Sequence, residues 1–213
     1  MMFKILLLLT AFLVSAHSAE ILYQNKFLLD NENWSIIGNK NYEPAVHQSY
    51  NIDKARLSHY IMFKDNLINV DYKNKNDKTL WYFKSPYITI NEELKPGTNT
   101  FIQNRKLFSV PKLLTFTITS FQGDFNKLNE NTALVKLKNK KNCYIFKAPQ
   151  YDGKTQEFNV PFIGSLWMYE YNTKKTVSQE EINDMFVGPF SIEILGDWTQ
   201  GMEVIGLDNV IIM

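Results

Sequence analysis

One cysteine, Cys143, is all that the chain contains, so no disulfide can form within it and the fold must rest on a packed core. Cys143 is then a buried small residue, a free thiol or a link to another chain. Histidine is nearly as scarce, with His17, His47 and His59 only. No His-Glu-x-x-His, Gly-x-Ser-x-Gly or glycine-rich phosphate loop occurs, and no Cys-His arrangement has a supporting context. Nucleophilic catalysis needs a nucleophile beside a base, and the sequence gives no sign of one. Net charge is also missing: 23 Lys+Arg face 22 Asp+Glu, and removal of residues 1–18 takes away Lys4 and leaves the remainder near neutrality. A nucleic-acid partner, which calls for a basic surplus on one face, is not expected. The densest basic stretch, Lys136, Lys138, Lys140 and Lys141 with Asn139 and Asn142 between them, reads as a solvated hairpin. Long apolar runs are absent too. The longest, Ile5 to Val14, is well short of the roughly 20 residues that span a bilayer, so no transmembrane segment is expected.

That short run has a meaning of its own. Met1-Met2-Phe3-Lys4 supplies a positive start, Ile5–Val14 an apolar centre, and Ser15-Ala16-His17-Ser18-Ala19 small residues. Together they read as a secretory signal peptide over residues 1–18, cut after Ala16 or Ser18. A secreted, extracellular protein is expected, with residues 19–213 as one domain. A chain of that length buries roughly 70% of its unfolded surface and needs no covalent staples.

Alternation dominates the domain. Leu114, Phe116 and Ile118 point one way and Thr115, Thr117 and Thr119 the other, which predicts a half-buried strand with a threonine outer face. Phe158, Val160 and Phe162 repeat the pattern, as do Ala133, Val135 and Leu137. Phe190, Ile192 and Ile194 alternate with Ser191 and Glu193. Shorter strand candidates run from His59 to Phe63, Leu67 to Val70, Leu80 to Phe83 and Tyr87 to Ile90. Turn residues separate them, at Asn74–Asp77, Lys95-Pro96-Gly97, Asp152-Gly153 and Gly188-Pro189. Many short strands with 14% aromatics predict an all-β, two-sheet sandwich. One helix is expected over its edge or end: Ser178 can cap it, Glu181 stands at the capping-box spacing, and Ile182 and Met185-Phe186 give it an inner face. No internal repeat, low-complexity linker or composition break divides the domain.

Four stretches, in order, carry a resemblance. They are Phe27-Leu28-Leu29-Asp30-Asn31-Glu32-Asn33-Trp34, Leu80-Trp81-Tyr82-Phe83-Lys84-Ser85-Pro86, Leu113 to Ile118, and Gly206-Leu207-Asp208-Asn209-Val210-Ile211-Ile212. The set resembles the laminin IV type A (laminin B) domain family over residues 27–212. The resemblance implies a jelly-roll sandwich of the galactose-binding-like type, used as a non-catalytic extracellular module. The cysteine-rich repeats that flank such domains in laminins are missing here, which puts a laminin-style network role in question. Trp34 and Trp81, among apolar neighbours, read as core anchors, since burying such a ring removes on the order of 200 Å² from water and so contributes several kcal/mol. Asn33-Trp34-Ser35 is an N-glycosylation sequon, and with Trp34 inward Asn33 points outward.

Several residues are candidates for ligand or metal contact. Asp208 shares an unbroken strand's phase with Val204, Val210 and Ile212, and a carboxylate on an apolar face calls for a partner. In jelly-roll binding modules an acid on the last strand joins acids near the first around a structural calcium, which nominates Asp208 with Asp30 and Glu32. Calcium takes six to eight oxygen ligands. The alternative is that Asp208 accepts backbone N–H groups in a turn or bulge. Trp167, Tyr169 and Tyr171 alternate with Leu166, Met168 and Glu170 and could form a sugar-stacking platform or pack inward. Trp198, after Gly196-Asp197 and before Gly201, is expected in an exposed turn as a contact residue, with Asp197 beside it. The leading expectation is a structural or adhesive binding module with an extracellular protein or glycan as partner. A lectin-like carbohydrate-binding domain is the alternative. A glycoside hydrolase drawing a carboxylate pair from Asp30, Glu32, Asp124, Asp197 and Asp208 is a third. No cofactor is required by any of these, and a structural calcium is the one ion the acids could hold.

Overall fold

The structure, a computed structural model, describes residues 20–27, 32–38, 49–53, 58–65, 80–90, 111–126, 128–129 and 132–213. The leader pattern over 1–18, Asp30, His47, the strand candidate at 67–70 and the turns at 74–77 and 95–97 lie outside the described residues.

Among the described residues the chain forms β1 (Tyr23–Asn25), β2 (Ser35–Ile37), β3 (Ser49–Asp53), β4 (Ser58–Asp65), β5 (Tyr82–Lys84), β6 (Leu113–Gln122) and β7 (Ala133–Lys138). There follow β8 (Cys143–Lys147), β9 (Gln156–Pro161), β10 (Met168–Tyr169), β11 (Asn172–Thr176), the helix α1 (Gln179–Asp184), β12 (Ser191–Leu195) and β13 (Glu203–Ile212). One sheet is ordered β3-β4-β13-β6-β9, with β1 also on β13. The other is ordered β11-β10-β8-β7-β12-β5-β2. All pairings are antiparallel. The result is a jelly-roll sandwich with one short covering helix. No helix among the described residues is long and apolar enough to cross a membrane.

The predicted alternation places the core. Leu114, Phe116 and Ile118 of β6, Phe158 and Val160 of β9, and Ile205 and Leu207 of β13 belong to one buried cluster with Phe83 of β5, Val135 and Leu137 of β7, and Ile192 and Ile194 of β12. Each such side chain contributes about 1.5–3 kcal/mol when fully buried. Trp34 and Trp81 are core residues, as their neighbours suggested, while Asn33 is exposed in a turn at φ 62°.

Outer faces differ from the sequence pattern in two strands. Thr115 is buried, because β6 lies between β13 and β9 and Ile211 and Asn159 flank it. Ser191 and Glu193 are buried along with their apolar neighbours, because β12 lies inside its sheet between β7 and β5. The Glu193 carboxylate meets Lys138 Nζ at 3.1 Å, which supplies the partner a buried charge needs. The basic stretch is the hairpin between β7 and β8, where Asn139 Oδ1 accepts the amides of Lys141 and Asn142.

The helix forms as its capping box dictates. Ser178 accepts the Glu181 amide, and the Glu181 side chain accepts the Ser178 amide at 2.9 Å. Ile182, Met185 and Phe186 are buried, and the Phe186 ring lies 4.9 Å from Phe162 and 5.0 Å from Phe190.

Candidate functional site

Three connections that cross from one sheet to the other (β6 to β7, β8 to β9 and β12 to β13) enclose a cavity of about 660 Å³. That is within the roughly 300–1,000 Å³ usual for ligand pockets. Phe125, Tyr151 and Trp198 supply its aromatic walls, and Asn126, Asn129, Thr132, Gln150 and Gln200 its polar ones. The rings touch in a continuous chain. Phe125 meets Tyr151 edge-on at 5.3 Å, Tyr151 meets Trp198 at 4.6 Å, and Trp198 lies on Phe158 of β9 at 5.7 Å. Phe125 can settle over its neighbours because two glycines lie beneath it. A Cβ on Gly153, which has φ +80°, would stand 2.4 Å from the Phe125 ring, and one on Gly123 2.8 Å from it.

Two networks fix the turn that carries Trp198 and Gln200. From outside, the Asn129 side-chain amide donates to Asp197 Oδ1 at 2.7 Å and to the carbonyls of Asp197 and Thr199 at 3.1 Å. From inside, the fully buried carboxylate of Glu203 accepts the amides of Trp198 and Thr199, the Thr199 hydroxyl and the indole N–H of Trp81. Backbone bonds add to this, with the Asn129 amide donating to the Trp198 carbonyl at 2.8 Å. The aromatic floor of the pocket is therefore held rigidly before any ligand arrives.

Trp198 itself calls for a correction. It is only 3% exposed rather than standing out in the turn, because Nε1 donates to the Leu195 carbonyl at 3.1 Å and the ring is sandwiched among Tyr151 and Phe158. It still lines the cavity. Asp197 is half-buried and spent on Asn129, outside the lining.

The Trp167, Tyr169, Tyr171 platform does not form. A 3-10 turn over Gly164–Leu166 and only two residues of strand replace the expected long strand. Trp167 is buried against Phe162 at 5.8 Å and donates from Nε1 to the Pro161 carbonyl at 2.9 Å. Tyr169 is buried against Tyr144, with its hydroxyl donating to Glu181. That bond to Glu181, followed by burial, pushes the Tyr169 phenol up to about 12 and draws the Glu181 carboxyl below its usual range. Tyr171 alone of the three is exposed, at 79%.

Asp208 is not on the apolar side of its strand. Asp208 pairs with Thr117 but Ile211 pairs with Thr115, so β13 carries one extra residue, and Asn209 takes φ 51° there. This bulge leaves Val210 and Ile212 facing the core and sets Asp208 on the threonine side, where its Oδ1 accepts the Asn209 amide at 2.6 Å. Among the described residues no group of three or more His, Cys, Asp or Glu is placed to hold a metal ion. With Asp30 outside those residues, Glu32 and Asp208 do not by themselves make a calcium site.

Cys143 is half-buried beside Glu170, Lys136 and Lys138. Burial, then the hydrogen bond and charge of Glu170, push its thiol up to about 12. A thiol so held is a poor nucleophile at neutral pH.

Sequence reasoning passed over Phe125, Asn126, Asn129, Tyr151, Gln200 and Glu203. One trace of the pocket was present: Phe125 and Tyr151 each stand between an acid and an amide residue, with a glycine two positions away, at 123 and 153.

No protein-family model matches the sequence, and no curated protein matches it. Solved structures similar in fold include the following two. The L4b domain of human laminin alpha-2 is 13% identical with a TM-score of 0.48, covering 72% of this chain and 79% of its own. CtCBM11, a carbohydrate-binding module known from a solution structure with dynamics and binding studies, is 12% identical with a TM-score of 0.48, covering 92% of this chain and 97% of its own. At these identities the likeness is one of chain course, and no residue roles transfer from either.

Proposed function

We propose that the chain is a secreted, non-catalytic binding module of laminin IV-like type, and that a glycan bound in the pocket between the three crossing loops is its ligand. The carrying observation is the lining itself: a contiguous cluster of three aromatic rings bordered by five amide or hydroxyl side chains. The half-buried Phe125 ring can cover the apolar face of a sugar, with Tyr151 and Trp198 packed behind it, and Asn and Gln amides carry both donor and acceptor atoms, which matches a ring of hydroxyls. Among the described residues the lining holds no carboxylate, histidine or cysteine, which supports the non-catalytic reading. Secretion rests on the leader pattern of residues 1–18, and the laminin IV-like assignment on the four ordered motifs.

The test is a glycan array read with wild type, Phe125→Ala and Gln150→Ala, each checked by circular dichroism for an unchanged fold. Binding by wild type that falls at least tenfold in both variants supports the proposal. Absence of binding to every glycan, or binding untouched by both variants, overturns it. Shortened products after long incubation with a bound glycan would overturn the non-catalytic part.

A further inference from the structure

We infer that the pocket selects uncharged glycans over sulfated, sialylated or uronic-acid chains, an inference that rests on the pocket being the ligand site. None of its eleven lining residues carries a formal charge. A sulfate or carboxylate drawn into it would give up water and find no guanidinium or ammonium among the described lining residues in return, which is a heavy cost for a desolvated anion. Neutral hydroxyls meet no such cost, because they can donate to the amide oxygens of Asn126, Asn129, Gln150 and Gln200, even though the Asn129 N–H donors are already held by Asp197 and Thr199.

The surroundings reinforce the selection. Each aromatic wall has an acid beside it in sequence: Asp124 before Phe125, Asp152 after Tyr151 and Asp197 before Trp198. Asp124 accepts the Asn126 amide at 3.2 Å and Asp197 accepts from Asn129, so both carboxylates are held close to the lining. The described residues of these loops, 123–132, 148–155 and 196–202, include one cation, Lys154, and its Nζ lies 3.0 Å from Asp152. Lys127 and Glu130, one of each sign, lie outside the described residues. Glu203 adds a fully buried carboxylate behind Trp198. Among the described residues an anionic ligand would thus meet carboxylates beside the lining and no cation within it.

The experiment presents matched pairs, each neutral oligosaccharide beside its sialylated, sulfated or uronic counterpart, to the full chain in low and physiological salt. Every pair is also read with Gln150→Ala and Phe125→Ala. The neutral member is expected to bind at least tenfold more tightly than the charged one, with little change on adding salt, since the contacts within the lining are not between ions. A charged member that binds equally or better, and loses affinity in Gln150→Ala, would overturn the selectivity while leaving the pocket as the ligand site. Binding of either member that ignores Gln150→Ala and Phe125→Ala, or no binding at all, would overturn the pocket assignment and the selectivity with it.

Discussion

The carboxylate of Glu203 accepts the indole N–H of Trp81 at 3.2 Å and so joins residues 122 positions apart in the chain. The same carboxylate takes the amides of Trp198 and Thr199, so one buried acid ties the core tryptophan to the pocket turn. Removing it strands several buried donors, each worth about 1–3 kcal/mol when left unpaired. Glu203→Ala is expected to lower stability by about 3 kcal/mol or more in urea unfolding, and to speed amide exchange at residues 198 and 199 of the preceding turn ahead of β13. A midpoint within error of wild type would remove Glu203 from this role.

Gly196 stands under the same tryptophan. A Cβ there would lie 1.8 Å from the Trp81 ring, whereas one on Gly188 meets nothing within 4 Å. Gly196→Ala is therefore expected to cost about 3 kcal/mol or more, at the upper end of overpacking effects, while Gly188→Ala leaves the melting temperature within a few degrees. Equal behaviour of the two variants would contradict this packing.

Most of the core was legible because it follows a period of two: Leu114, Phe116 and Ile118, or Phe158, Val160 and Phe162, are all buried. The helix was legible because a capping box is local chemistry. What periodicity could not reveal is which strands lie inside a sheet, and so Glu193 and Thr115 read as solvent-facing when both are buried. A single inserted residue after Asp208 inverted its side, since a bulge has no signature in the hydrophobic pattern. The pocket was illegible for a third reason. Phe125, Tyr151 and Trp198 come from three loops and meet only once the sheets have stacked.

Cys143 offers a pH test. Its thiol rises from an ordinary 9.0 to about 12 in the folded chain, by burial and by Glu170. The folded state therefore keeps its proton where the unfolded state loses it. The contribution to stability is complete below about pH 9 and declines as pH climbs toward 12. Buried phenols such as Tyr82 and Tyr151, raised by desolvation, act in the same direction, so the thiol's share is the difference between wild type and Cys143→Ser. Folded protein at pH 8 is expected to react with a thiol reagent at least tenfold more slowly than unfolded protein, and equal rates would sink this reading.

Tyr151 separates the worth of a ring from that of its hydroxyl. Its ring touches Phe125, Phe158 and Trp198, but the hydroxyl is buried without a hydrogen bond of good geometry, the backbone of Ser120 being the polar group near it. A polar atom buried in that way is a net cost, and deleting it while keeping the ring forfeits no packing. Tyr151→Phe is expected to leave stability unchanged or raise it by up to about 1 kcal/mol, whereas Tyr151→Ala is expected to cost about 3–5 kcal/mol through the cavity it opens. Glycan affinity provides the second axis. A tenfold loss in Tyr151→Phe at equal stability would mean that the hydroxyl's partner is the ligand, and retained affinity would assign recognition to the aromatic faces and the amides. A loss of more than about 1 kcal/mol of stability in Tyr151→Phe would instead show that the hydroxyl is well bonded in the folded protein, against the geometry described.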